Sequence, residues 1–169
     1  MSLLRYFAYG KNMHPVPLRE RIPSCRFIDV VKLNGWALRF HKRSKDGSGK
    51  CNIIPANNRV DHVYGALYEL PADEKADLDK MEAVGFGYHE ITIEIHAYAD
   101  VFTYQADPGY LDESLKPYTW YKEYLVQGAQ LHGVPDDYIK FLSGIEAIQD
   151  PDTAREGKNL QILGSGFQL

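Results

Sequence analysis

The chain has 169 residues and 19.3 kDa, with 44% apolar and 25% charged residues and a formal net charge of −4. That is enough for one domain with a sizeable core, and ordinary for a globular protein. The negative balance and the short basic cluster Arg39, Lys42, Arg43, Lys45 argue against a nucleic-acid binder. No apolar run reaches membrane-spanning length.

In chain order, Leu3–Tyr9 reads as a strand that stops at Gly10, where an apolar aromatic run turns polar. Glycine there lets the chain take dihedrals that other residues resist, and such a junction can aim backbone N–H groups at a ligand. Asn12–Pro23 holds three prolines and reads as a loop with one helical turn near Leu18–Arg21. Arg26–His41 is rich in valine, isoleucine and aromatics, and predicts one or two strands broken at Asn34-Gly35, a hairpin-type dipeptide. A turn at Lys45–Lys50 follows, then strands at Cys51–Ala56 and Val63–Leu70.

The period then changes. Pro71–Met81 predicts a helix with Leu78 and Met81 on one face, stopped by Gly85 and Gly87. Tyr88–Tyr98 alternates, with Ile91, Ile93 and Ile95 on one side. Val101–Gln105 is its partner across a turn at Ala99-Asp100. Thr119 is placed to cap a helix running to about His132, with an apolar stripe of Tyr121, Tyr124, Leu125, Gly128 and Ala129. Gly133 ends it. Pro135 opens a second helix with Tyr138, Phe141, Leu142 and Ile145 inward. The tail from Asp150 reads as polar chain with a small apolar end that includes Ile162 and Phe167. Strands, a helix, strands and then helices predict an α+β fold of one domain (1–169; core about 4–148, tail 150–169) with a mainly antiparallel, closed or open sheet.

Several patterns fail as sites. Gly47-Ser48-Gly49-Lys50 imitates the end of a phosphate loop, but Ser44 and Cys51 stand where glycine and a hydroxyl are required. The six histidines show no ligand spacing, so no metal is expected. Cys25 and Cys51 read as free structural thiols of a cytoplasmic protein, since no secretory leader is evident. Glu82 ends the middle helix and precedes Ala83-Val84-Gly85-Phe86-Gly87-Tyr88, an apolar, glycine-rich stretch that would desolvate a carboxylate and raise its pKa into the general acid–base range. On that segment alone, an exposed helix-end glutamate is the stronger reading. Tyr118 and Tyr121 read first as packing residues.

Three separated segments change the balance. Tyr6-Phe7-Ala8-Tyr9-Gly10-Lys11-Asn12-Met13, then Leu78-Asp79-Lys80-Met81-Glu82-Ala83-Val84 with Gly87-Tyr88, and Tyr121–Ala129 with His132-Gly133-Val134-Pro135 together resemble the γ-glutamylcyclotransferase superfamily, from about Leu4 to Ile148. The resemblance implies a small mixed β-barrel with short helices packed around it. It also implies a cofactor-free reaction in which the α-amine of a small γ-glutamyl amino acid or amine closes on its own γ-carbonyl to give 5-oxoproline. It assigns Glu82 as the catalytic acid/base. The loop Tyr6, Phe7, Ala8, Tyr9, Gly10, Lys11, Asn12 becomes the glutamyl cradle, with Tyr121 in the pocket wall. Tyr88 and His89 compete for a further aromatic position. Lys11 stands where the family pattern has serine, and Ala83 where it has glycine. A carrier-bound γ-glutamyl substrate and a non-catalytic module binding γ-glutamyl or 5-oxoproline-like ligands are the alternatives. No nucleic-acid or membrane partner is expected; a homodimer is left open.

Overall fold

The structure is a computed structural model that describes residues 2–58 and 60–166. Its strands are β1 (Leu3–Ala8), β2 (Arg26–Asn34), β3 (Trp36–Arg43), β4 (Gly49–Pro55), β5 (His62–Pro71), β6 (Tyr88–Ile95) and β7 (Tyr98–Ala106). The helices are α1 (Pro15–Arg19), α2 (Lys75–Met81), α3 (Thr119–Leu131), α4 (Asp136–Ser143) and α5 (Thr153–Gly164). Five strands form one sheet in the order β2-β5-β1-β7-β6, and β3 and β4 form a separate hairpin. All pairs are antiparallel except β1 with β7, matched at Arg5↔Val101 and Tyr6↔Phe102.

The fold is therefore α+β with a mainly antiparallel sheet, as expected, but the sheet is open and the barrel expectation is corrected. β2 and β6 remain its two edges. The β3–β4 hairpin is tied to β6 and β7 by single hydrogen bonds instead of a ladder. Tyr88 Oη donates to the Cys51 carbonyl at 2.6 Å, Gln105 Nε2 to the Ile53 carbonyl at 2.9 Å, and the Ala106 N–H to Asn52 Oδ1 at 2.8 Å. The Asn34-Gly35 break is real, but it does not make a hairpin. Gly35, at φ 78°, turns the chain out of one sheet and into the other, and β2 pairs with β5.

The apolar patterns predicted the core well where alternation is regular. In β1, Tyr6, Phe7 and Ala8 are all buried, because the strand lies in the middle of the sheet with both faces covered. Phe7 points away from Tyr6 and lies against Gly65, where a Cβ would stand 2.6 Å from its ring. Leu78 is fully buried under α2, while Met81 is half-buried. The α3 stripe is buried throughout, from Tyr121 to Ala129.

Other expectations need correction. The β6–β7 turn falls at His96-Ala97, and Asp100, at φ 54°, lies within β7 beside a register shift. Thr119 is the first helical residue, not the cap: its N–H donates to the Ile148 carbonyl at 2.9 Å. In α4 only Tyr138 and Leu142 are buried; Phe141 lies on the outside and Ile145 falls past the helix end. The tail is helical. Asp152 Oδ1 caps α5 by accepting from the Arg155 N–H at 3.0 Å, Leu163 reaches the core, and Asn159 Oδ1 accepts from Tyr124 Oη at 3.2 Å. Ile162 packs against the same core, whereas Phe167 lies outside the described residues. Both cysteines are free and buried. Among the described residues, no helix is long and apolar enough to cross a membrane.

Gly128 sets how closely α3 approaches the turn that follows β1, at Met13 and His14. A Cβ there would meet the His14 nitrogen at 2.6 Å and the Met13 carbonyl carbon at 2.8 Å. Gly→Ala inside a helix ordinarily stabilises by about 1 kcal/mol. Here backbone overpacking opposes it, so Gly128→Ala should destabilise by roughly 1–3 kcal/mol. A fall in the urea midpoint checks this; a rise would show that the helix shifts freely.

Candidate active site

β1 ends beside the separate hairpin, and the chain turns there through a single 3-10 turn, Lys11–Met13. Gly10, which precedes it, has φ −109° and ψ −140°, outside the left-handed region. What glycine supplies is room: a Cβ would stand 3.2 Å from Cys51 Cβ and 3.5 Å from Tyr121 Oη. The turn thus presses directly on β4. The Lys11 and Asn12 amides lie in the first turn, ahead of any acceptor within it.

Asn12 is buried, and its amide nitrogen donates twice. One bond goes to Tyr6 Oη at 3.2 Å and the other to Glu82 Oε1 at 2.5 Å. Glu82 caps the C-terminal end of α2, and the chain leaves it sharply through Ala83 at φ 51°, a left-handed conformation that costs a non-glycine residue about 1 kcal/mol. Gly85, at φ 83°, continues the turn. The bend swings the glutamate inward, over the aromatic floor made by Tyr6, Tyr9 and Tyr88.

Burial pushes the Glu82 carboxyl up to about 7, against the opposing pull of the Asn12 hydrogen bond and of the Lys42 and Lys11 charges. A carboxylate so placed is divided between its two protonation states near neutral pH, which suits proton transfer in both directions. The surrounding phenols are all held protonated by burial, with Tyr6, Tyr9, Tyr88 and Tyr121 well above their usual range. Tyr121 Oη accepts from the Cys51 N–H at 3.2 Å, while Tyr88 Oη donates to the Cys51 carbonyl at 2.6 Å. Two tyrosines from distant segments thus hold the N–H and the C=O of one residue of β4.

These groups line a cleft of about 580 Å³, a volume suited to a small-molecule ligand. Of the residues named from sequence, the structure brings Tyr6, Tyr9, Gly10, Lys11, Asn12, Glu82, Tyr88 and Tyr121 together on its wall. Phe7 and Ala8 are not on it: both are fully buried in the core behind. Between Tyr88 and His89, it is Tyr88 that faces the cleft, while His89 Nδ1 bonds Asp107 at 2.6 Å, away from it.

Sequence reasoning missed the cations. Lys42 and Lys50 both line the cleft, on β3 and β4. Lys50 Nζ pairs with Asp46 at 2.7 Å and lies 4.5 Å from the Tyr121 ring centre. Lys42 Nζ lies 4.7 Å from the Tyr88 ring centre and 5.8 Å from that of Tyr110. Lys11 Nζ lies 4.6 Å and 5.6 Å from the ring centres of Tyr124 and Trp120. Burial lowers all three ammonium pKa values, that of Lys11 to about 8. The Asp46 carboxylate, bonded to Lys50 and Ser48, is held at about 2 although burial opposes it.

The order of elements around this cleft is that of a known class of small α+β proteins. A model of the AIG2-like family matches residues 62–142. A solved structure titled gamma-glutamyl cyclotransferase superposes with a TM-score of 0.86 at 23% identity, covering 98% of this chain and 100% of that one. Among curated proteins, the gamma-glutamylcyclotransferase of Bos taurus is 31% identical over 150 residues, covering 83% of this chain and 78% of its own. That of Homo sapiens is 29% identical over 148 residues with the same coverage. The chain belongs to the γ-glutamylcyclotransferase family and is an enzyme of that type.

The raised Glu82 pKa has a cost in stability. The unfolded state ionises near 4.5 and the folded state near 7. Between those values the folded protein therefore holds the extra proton, and stability falls as pH rises. Glu82→Gln removes this term. The variant should match the wild type at pH 4.5 and exceed it by about 1–3 kcal/mol at pH 8. Urea unfolding at the two pH values measures it, and a destabilised variant at pH 8 would contradict the desolvated carboxylate.

Proposed function

We infer that the chain converts a small γ-glutamyl amino acid or γ-glutamylamine to 5-oxoproline and a free amine, with Glu82 as the sole acid–base group and residues 1–169 acting as one domain. The observation that carries this reading is the Asn12–Glu82 contact: it puts a carboxylate with a pKa of about 7 beside the loop that follows β1.

Nucleophile and electrophile belong to one molecule, so the site's first task is to hold the folded conformer in which the α-nitrogen faces the γ-carbonyl. Glu82 takes a proton from the α-ammonium. The freed amine attacks the γ-carbonyl carbon, the new C–N bond forms, and the carbonyl oxygen gathers negative charge. N–H groups of the Tyr9–Asn12 loop are suited to receive that charge, being fixed before the reaction begins. Collapse of the intermediate breaks the amide C–N bond as Glu82 returns its proton to the leaving nitrogen, and the second proton of the attacking nitrogen passes to the released amine, leaving a neutral lactam nitrogen and an ammonium product. The same carboxylate serves both halves, and its near-neutral pKa makes neither transfer steeply uphill. Asn12 can hold the Glu82 side chain by donating whether that side chain is ionised or protonated, because the carboxyl retains an acceptor oxygen in both states.

The cleft walls support a small substrate. Tyr6, Tyr88 and Tyr121 offer flat apolar surface for the glutamyl methylenes, and their hydroxyls are already engaged with protein partners. Cyclotransfer is tested by supplying γ-glutamyl amino acids and amines and measuring 5-oxoproline by mass spectrometry. Glu82→Gln should fold and lose turnover by about 10²–10⁴-fold. The wild-type kcat/KM should climb with pH through about 7 as Glu82 ionises. Unchanged turnover in Glu82→Gln would remove Glu82 from the role.

A further inference from the structure

The cleft is electropositive in a protein that is acidic overall. Its wall carries Lys11, Arg21, Lys42, Arg43, Lys45 and Lys50 against Glu20 and Glu82, while the whole chain bears −4. Lys50 is neutralised by Asp46 at 2.7 Å. Lys11 and Lys42 have no carboxylate within ion-pair distance among the described residues; each rests on aromatic faces from a different wall. Lys11 comes from the turn after β1 and lies on α3. Lys42 comes from β3 and lies on β6. Carboxylates act on them only at longer range, Glu82 on both and Glu20 on Lys11, so these partly buried cations carry a desolvation cost that a directly bound anion would offset.

A γ-glutamyl head group offers one carboxylate, and its α-ammonium is directed to Glu82. One lysine is sufficient for that carboxylate. Lys42, 8% exposed and packed between Tyr88 and Tyr110, is the more enclosed and suits the part of the substrate that never varies. Lys11 is less enclosed. It shares its end of the cleft with Pro17, Glu20 and Arg21, the last two exposed at the rim. We propose that Lys11 is a specificity-determining residue that reads an anionic leaving group, so that the preferred substrates are γ-glutamyl amides of acidic amino acids. This rests on the cyclotransferase reading above. One leaving-group carboxylate meets the Lys11 ammonium. The second faces the Arg21 side of the mouth, where Arg21 and Lys11 outweigh the one carboxylate of Glu20.

Lysine at this position does what serine cannot. A hydroxyl offers one short-range donor, whereas an ammonium supplies a full charge on a reach of four methylenes. The Lys11 ammonium rests over the Trp120 and Tyr124 faces at the cleft's edge, and the flexible stem lets it turn to an anion that enters. Discrimination then comes from the charge the leaving group carries, with apolar fit secondary.

The test compares γ-glutamyl-ethylamide, γ-glutamyl-alanine and γ-glutamyl-glutamate, whose leaving groups carry none, one and two carboxylates. Wild-type kcat/KM should rise along that series, by about 10- to 100-fold from first to last, the range expected for a hydrogen-bonded charge. Lys11→Met, which keeps the packing on Trp120 and Tyr124, should compress that ratio at least tenfold. Lys11→Arg should restore the order. A flat series in the wild type, or a ratio that Lys11→Met leaves unchanged, overturns the proposal while cyclotransfer itself stands. If no amide yields 5-oxoproline, the cyclotransferase reading fails, and calorimetric titration with the same three compounds decides the inference separately. Tighter binding of γ-glutamyl-glutamate that Lys11→Met abolishes upholds Lys11 as the anion reader; equal binding overturns it.

Discussion

The contact on which the site depends is the 2.5 Å hydrogen bond from Asn12 to Glu82. It joins the turn that follows the central strand to the end of α2. Asn12 also holds Tyr6, so the strand, the turn and the helix end share a single polar anchor. A buried asparagine amide needs acceptors, and a buried carboxylate needs donors; each satisfies the other, and neither is satisfied by the apolar surroundings. The left-handed bend at Ala83 and the tight approach of Gly10 to β4 serve the same meeting, one by aiming the carboxylate and the other by letting the turn come close.

Around that anchor, tyrosines do most of the shaping. Tyr88 and Tyr121 bond the carbonyl and the N–H of Cys51 and so fix the small hairpin relative to β6 and α3. Tyr9 Oη donates to the Tyr104 carbonyl at 2.5 Å, and Tyr104 Oη to Asp79 at 2.6 Å, which ties β7 to α2 beneath Glu82. Each ring gives apolar surface to the cleft and spends its hydroxyl on structure. Around Glu82 the result is an aromatic surface of protonated phenols, the setting in which burial raises a carboxylate pKa even with lysines nearby.

Much of this was legible in the sequence, for identifiable reasons. The alternation in β6 and the stripe in α3 follow directly from strand and helix periods, and both survive in the structure. Glu82 became readable only when the segment after it was set beside the aromatic run 70 residues earlier; neither segment carries the site alone. Lys42 was hidden by a bulge. Pairing runs Arg39↔Asn52 and then Lys42↔Lys50, a slip of one residue, so period-two reading no longer tells which face Lys42 takes. Helix α5 was hidden by composition, since Gly157 and a mostly polar sequence leave little beyond the adjacent Ile162 and Leu163 to mark an inner face. The open sheet was beyond local pattern altogether, because closure depends on whether β2 and β6 meet, and no residue in either strand encodes that by itself.

The contacts that make the cleft are also distant in sequence. Asn12 meets Glu82 across 70 positions, and Tyr121 meets Cys51 across another 70. Each must close a long loop of chain before it returns any energy. The pocket is therefore a property of the whole topology: its walls come from the first strand, the middle helix and α3, and a piece of chain that lacks any of these lacks one side of the site.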